Sequence, residues 1–197
     1  MGLIQRSKKN SEEILKKIIK KNIKNNPNAI LLAEDEAALM SVPSIIRTWG
    51  KKGVQPVIPT SNKKRFRVTM FGAVNLYTGD ICSAIAETGN TETFLSFLRK
   101  ILKKYPRKEI FFVLDNVRFH HAKIVTEIFL KRVKRLHFVY LPAYSPDLNP
   151  QEWVWKQLRR ETTHNTYYEI FDNEIKAAKQ FLQRYKLPVK KLLCKII

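Results

Sequence analysis

The sequence predicts an α/β fold, a mixed sheet with helices on its faces, and three observations carry that expectation. A hairpin pattern comes early, helical and strand patterns alternate after it, and two short apolar runs end in carboxylates. The 197 residues are enough for one domain, and 44% hydrophobic with 11% aromatic residues is enough for a real core. No apolar run approaches the ~20 residues that a membrane span needs. Met1 to Asn10 is polar and basic, without the apolar stretch of a secretory leader. Cys82 and Cys194 belong to no CxxC pair, so neither a zinc ribbon nor a disulfide scaffold is expected, and a reducing cytoplasm is.

Along the chain, the first element is a basic helix. Asn10 and Glu13 form a capping-box pattern, and Ile14, Leu15, Ile18, Ile19 and Ile23 recur at helical spacing with lysines between them. Pro27 stops that helix. Ala29 to Ala33 reads as a buried strand that delivers Glu34, Asp35 and Glu36 at its C-terminal end. Residues 41–64 are irregular, broken by Pro43, Gly50, Gly53, Pro56 and Pro59. Arg65 to Val74 and Ile81 to Ala86 pair as a hairpin across the turn Tyr77–Asp80. Thr91 to Lys104 is an amphipathic helix, and Glu109 to Leu114 is the continuous apolar run of a central strand, ending at Asp115. His121 to Arg132 reads as helix and Leu136 to Leu141 as strand. Asn149 caps a helix that has Pro150 in its first turn, and a last helix spans about Tyr167 to Tyr185 before a basic tail.

Charge points to a partner. Lys and Arg total 37 against 17 Asp and Glu, a net +20. Such an excess costs self-repulsion and suits a polyanion, nucleic acid before an anionic membrane surface. The first helix is basic, but its apolar stripe lacks Trp and Phe, so it suits core docking better than lipid. A solvated lysine-rich surface is the plain alternative.

In open α/β sheets, ligands bind at the carboxyl ends of strands, where Asp35 and Asp115 are expected. Glu152 comes after a loop stiffened by Pro142, Pro146 and Pro150. Taken alone, Glu152 reads as an acid complementing a helix dipole, and Asp147 as a turn residue. Glu36 neighbours Asp35 on a strand, so its side chain should point to the opposite face and is not taken as a ligand.

Two longer strings add to this. Leu114-Asp-Asn-Val-Arg-Phe-His120 and Leu141-Pro-Ala-Tyr-Ser-Pro-Asp-Leu-Asn-Pro-Gln-Glu-Trp-Val-Trp155 resemble signature blocks of DDE transposases. The branch is the bacterial and archaeal insertion-sequence relatives of the Tc/mariner superfamily. The Asp35-Glu36 pair resembles the family's first block, and Arg47-Thr-Trp-Gly-Lys-Lys-Gly53 resembles the stretch C-terminal to that block. The likeness covers about residues 29–165, and the 37 positions between Asp115 and Glu152 suit the family's short second interval.

The resemblance implies an RNase H-like fold and a catalytic triad, Asp35, Asp115 and Glu152, meeting at one edge of the sheet. It implies two Mg²⁺ or Mn²⁺ ions held by those carboxylates, which are hard oxygen ligands. Water as nucleophile would nick DNA, and a freed 3′-hydroxyl would join the strand to a target. Asn116 and His120 match the second block as supporting residues. Lys156, Arg159 and Arg160 lie beyond Glu152, where they would hold DNA phosphates or form a solvated face. Trp155 suits core packing. Gln151 and Trp153 depart from the usual pattern and alter the surface beside the site.

Full-length relatives carry an N-terminal helix-turn-helix region, and residues 1–28 are too few for one. The domain expectation is a basic helix over 1–28, the catalytic domain over 29–165, and a basic helix and tail over 166–197. The chain then reads as the catalytic half of a transposase acting on DNA at the nucleoid. A helix-turn-helix partner chain and a homodimer are expected, and no membrane partner. A binding-only remnant and a stand-alone nuclease of the same fold are the competing readings.

Overall fold

The computed structural model describes residues 26–60, 65–141 and 149–188. The expected helix around residues 14–23, Asp147 and the tail beyond 188 lie outside them. Five strands form one sheet: β1 (Ala29–Met40), β2 (Arg67–Asn75), β3 (Ile81–Ala86), β4 (Glu109–Leu114) and β5 (Leu136–Tyr140). The spatial order is β3-β2-β1-β4-β5. The β1–β2 and β2–β3 pairs are antiparallel, and β1–β4 and β4–β5 are parallel. The helices are α1 (Thr91–Lys104), the short α2 (Leu130–Arg132), α3 (Pro150–Leu158) and α4 (Phe171–Arg184).

The first strand corrects an expectation. It does not end at Ala33 but runs through the acidic cluster to Met40. Its parallel partner β4 stops at the Ala33–Val113 pair, while its antiparallel partner β2 continues from Leu32–Asn75 to Met40–Arg67. The half-length overhang keeps Glu34, Asp35 and Glu36 in strand geometry while leaving them beside the carboxyl end of β4.

Alternation along β1 divides the core in two. Leu31, Ala33, Ala37 and Leu39 face Val154, Trp155 and Leu158 of α3 and Phe181 and Leu182 of α4. Ile30 and Leu32 face the other way, into a cluster with Phe71, Phe94, Phe97 and Phe112. Asn90 caps α1 by accepting from the amides of Glu92 and Thr93, and the Thr93 hydroxyl accepts from the Asn90 amide in return. That helix buries Phe94, Leu95, Phe97, Leu98 and Ile101, and its outer lysines reach back to the sheet edge. Lys100 Nζ donates to the Ser83 carbonyl at 2.6 Å and Lys104 Nζ to the Ile81 carbonyl at 3.0 Å.

Three further boundaries differ from the pattern. The segment expected as helix from His121 to Arg132 is a 3₁₀ turn (Arg118–His121), a π-helical turn (Ile124–Phe129) and α2. Val125 is its one fully buried apolar residue in the π turn, so little packing enforces a regular α pitch. The strand expected from Arg65 starts at Arg67, because Phe66 instead exchanges hydrogen bonds with Ser41. The last helix begins at Phe171, since Tyr168 is held outside it by its hydroxyl bond to the Thr162 carbonyl. A further π turn (Arg159–Thr163) extends α3. No described helix is long and apolar enough to cross a membrane.

Candidate active site

Asp35 and Asp115 line one open cleft with Glu36, Arg67, Thr69, Glu87, Thr88, Gly89, Val117 and Phe119. Asp35 comes from the overhang of β1, and Asp115 is the first residue past β4. Glu152 approaches Asp35 from α3, whose start is set by Asn149. The Asn149 Oδ1 accepts from the Gln151 amide, and its Nδ2 donates to the Glu34 carbonyl at 2.7 Å, which ties the helix N-terminus to β1.

The seat of α3 on the sheet depends on Gly72 of β2. A Cβ there would lie 2.3 Å from Gln151 Nε2 and 2.7 Å from the Trp155 ring. Gln151 and Trp155 are both buried, so neither can swing away. Gln151, read from sequence as a surface departure, is thus a packing residue under the helix that carries Glu152.

The carboxylates differ in proton affinity. Burial, then the charges of Glu152, Glu36 and Asp115, push the Asp35 carboxyl up to about 8. Asp115 goes the other way. Burial works against its charge, but hydrogen bonds from His120 and the Val117 amide prevail, with the nearby charges of His120 and His121, and hold it below the usual carboxylate range. The Val117 amide donates to Asp115 Oδ1 at 3.1 Å.

His120 is fully buried and joins two elements. Its Nε2 lies 2.9 Å from Glu36 Oε1, and its Nδ1 lies 3.1 Å from the Asp115 carbonyl and 3.4 Å from Asp115 Oδ1. Burial disfavours its charge, yet hydrogen bonds to Asp115 and Glu36 outweigh that and raise it to about 9. Glu34 completes the group, with Oε2 at 3.7 Å from His120 Nε2. Its carboxyl is fully buried and is pushed well above the usual range by that burial and by the charges of Glu36, Asp35 and Asp115. Neither of its carboxyl oxygens has a hydrogen-bond partner among the described residues. Phe94 and Phe119 close over the imidazole at 4.4 and 4.7 Å between ring centres.

The other expected residues are spread along the same region. Asn116 Nδ2 donates to the Leu141 carbonyl at 2.7 Å, fixing the chain after Asp115 against the end of β5. Lys156 is exposed, with its Nζ 5.2 Å from the centre of the Trp153 ring. Arg159 and Arg160 sit after α3 in the π turn, Arg159 half-buried and Arg160 exposed. None of these three lines the cleft. Among the described residues, the compact trio of metal-ligating atoms, all within 4.8 Å, is Glu34, Glu36 and His120. Asp35, Asp115 and Glu152 are spaced more widely than that. Arg67 and Glu87 reach the cleft without having been singled out in sequence; their strand and turn positions carry no motif. The His120–Glu36 link could have been sought in the residue pattern, because both lie in the blocks that flank Asp35 and Asp115.

The strand order, with a hairpin leading into a central strand and two parallel strands beyond, is RNase H-like. The structure is similar to the Mos1 mariner transposase paired-end complex with Mn, at a TM-score of 0.65 and 17% identity, over 97% of this chain and 60% of that one. It is also similar to the isolated catalytic domain of Mos1 mariner transposase, at 0.59 and 15%, over 97% and 87% of the two chains. The sequence matches the DDE superfamily endonucleases over residues 31–173, and the chain belongs to that family. It is 28% identical over 153 residues to the insertion element IS630 39 kDa protein of Shigella sonnei, covering 76% of this chain and 43% of that protein. A stretch of 63 residues is 38% identical to the Tc3 transposase of Caenorhabditis elegans, covering 32% of this chain and 18% of that one. The chain therefore spans less than half the length of these relatives.

Proposed function

We propose that this chain is the catalytic part of a DNA transposase, cutting DNA strands and joining their 3′ ends to a target. Asp35, Asp115 and Glu152 are the acids we assign to it. The observation that carries the reading is that Asp35 and Asp115 face one cleft beside the carboxyl end of the central strand, in a member of the DDE superfamily. Asp35 keeps its proton near neutrality because burial, with the charges of Glu152, Glu36 and Asp115, disfavours its ionised form. A cluster of hard oxygen ligands that repel one another suits divalent cations. Mg²⁺ or Mn²⁺ held there would supply the charge that activates a water or 3′-hydroxyl and stabilises the leaving oxygen.

The protein's own contribution is positional. His120 and the Val117 amide keep Asp115 ionised and oriented before any substrate arrives. Asn149 and Gly72 fix the height of Glu152 over β1. Asp35 must lose its proton when a cation binds, so binding releases a proton near neutral pH. Arg67 offers a cation at the wall of the cleft for a DNA phosphate. Lys156, Arg159 and Arg160 extend that positive surface along α3 and the turn after it. Sequence choice we assign to a helix-turn-helix partner, in this chain's natural context or on a separate chain, and assembly to a homodimer on paired DNA ends.

The test is nicking of supercoiled DNA with Mn²⁺, wild type beside Asp115→Ala and Glu152→Ala. Nicking by wild type and by neither variant is the expected outcome. Wild-type protein that binds DNA and never nicks it, even with a helix-turn-helix partner and transposon-end DNA, would leave the binding-only remnant in place of the enzyme.

A further inference from the structure

Residues 41–60, between β1 and β2, form no strand of the sheet, yet their base is tightly held. The Ser44 hydroxyl and His164 Nδ1 are 2.7 Å apart, and the Asn165 amide donates to the Ser44 carbonyl at 3.0 Å. The Asn165 side chain grips Ile46 twice, accepting from its amide at 3.0 Å and donating to its carbonyl at 3.1 Å. Asn165 does so from a left-handed conformation, φ 55°. The clasp fastens the segment to the chain that leaves α3, the helix of Glu152. The segment returns at Arg67, which lines the cleft and pairs with Met40.

Beyond the clasp the chain folds back on itself. The Val54 amide donates to the Lys51 carbonyl at 3.0 Å, and Gly53 takes the positive φ of 81° that this turn needs. Gly50 lies against the Pro56 ring, so closely that a Cβ would meet its Cγ at 2.8 Å. The result is a finger with Lys51 and Lys52 at its tip and Trp49 on its flank. Trp49 is 99% exposed, and Arg47, Lys51 and Lys52 are exposed beside it. Residues 41–60 contain no Asp or Glu.

A large aromatic ring held wholly in water, on a segment with three exposed cations and no acid of its own, matches the chemistry of nucleic acid. Bases stack on the ring and phosphates meet the charges. We infer that residues 47–57 form a DNA-gripping finger, in which Trp49 stacks on an unpaired base of a strand leaving the cleft and Lys51 and Lys52 hold its phosphates. This deepens the proposed function, on which it rests for the identity of the polyanion. It adds a contact surface outside the acid cluster and outside α3.

The test uses the whole chain, with labelled duplex DNA that is blunt or carries a short single-stranded tail. Trp49→Ala should weaken binding of the tailed duplex about 5- to 100-fold, the range of one base–aromatic stack, and affect the blunt duplex far less. Trp49→Phe should restore most of the loss. Replacing Lys51 and Lys52 with Ala should lower the slope of log affinity against log salt by about 1.8. Equal affinity of wild type and Trp49→Ala for tailed DNA overturns the inference, as does an equal loss on both duplexes. Sedimentation decides the rival occupant: a wild-type dimer that Trp49→Ala splits, with DNA affinity per protomer unchanged, would give this surface to a second copy and overturn the finger. Since Trp49 touches no core, its removal should leave the Mn²⁺-dependent rise in melting temperature intact. If wild type nicks DNA while Trp49→Ala binds it normally, the finger alone falls; if wild type binds no DNA, both readings fall.

Discussion

The two faces of β1 around residue 35 hold the same chemistry in opposite condition. On one face, the buried Glu34 and the half-buried Glu36 flank a cationic His120, which pairs with Glu36 and Asp115 while Glu34 keeps its proton. On the other face, burial and the negative charges of Glu152, Glu36 and Asp115 keep the Asp35 proton in place up to about pH 8. One strand therefore carries a closed electrostatic circuit and an open one, separated by a single residue step. The closed side is a brace for Asp115. The open side is where a cation from outside would gain most.

Removing the brace should give the largest effect. His120→Leu leaves the acids around it without their cation, and breaking such a buried arrangement costs about 3–5 kcal/mol, measurable by urea unfolding. A much smaller loss would mean that Glu36 and Asp115 are not ionically coupled to the imidazole. Gly72→Ala comes next. It forces a methyl group into the Gln151–Trp155 seat and should cost about 1–3 kcal/mol, with nicking falling in step as α3 lifts Glu152.

The open side predicts a gain. Asp35→Asn should stabilise the cation-free protein by more than about 1 kcal/mol at pH 7 while abolishing the stabilising response to Mn²⁺. The sign with pH comes from a folded-state value of about 8 against 3.8 for the ordinary carboxyl. The folded form holds the proton longer, so the contribution of Asp35 is fully present below about pH 4 and is lost as pH rises through about 8. Melting temperatures across that range should fall in wild type and flatten in Asp35→Asn, and saturating Mn²⁺ should remove most of the fall. The smallest effect belongs to Lys156→Ala. Stability should move by no more than about 0.5 kcal/mol, while the salt slope of DNA binding drops by about 0.9 if that lysine meets a phosphate.

Much of the architecture was legible because its elements have strong local causes. The apolar run of β4, the turn between β2 and β3 and the Asn149-Pro150 start of α3 each sit in their own few residues. What was not legible depends on partners far away in sequence. The continuation of β1 past Ala33 results from pairing with β2, which no pattern within residues 34–40 announces. The π turns after His121 and Leu158 answer to packing rather than to periodicity. At the candidate site, the alternation rule placed Glu36 on the face opposite Asp35, and it could not show that His120 waits there. Gln151 looked like a surface change because its reason, a missing Cβ at Gly72, lies 79 positions away.

The lysines that α1 lends to β3 have a consequence for assembly. An outer strand with free carbonyls is a template on which another chain can add its own strand. Here the carbonyls of Ile81 and Ser83, on alternate residues of that rim, are already taken by Lys104 and Lys100. An incoming strand would have to displace two ammonium groups and would meet their charge in doing so. Growth of the sheet from that side is opposed within each molecule, so crowded copies of this chain can come close there without fusing into a continuous ribbon.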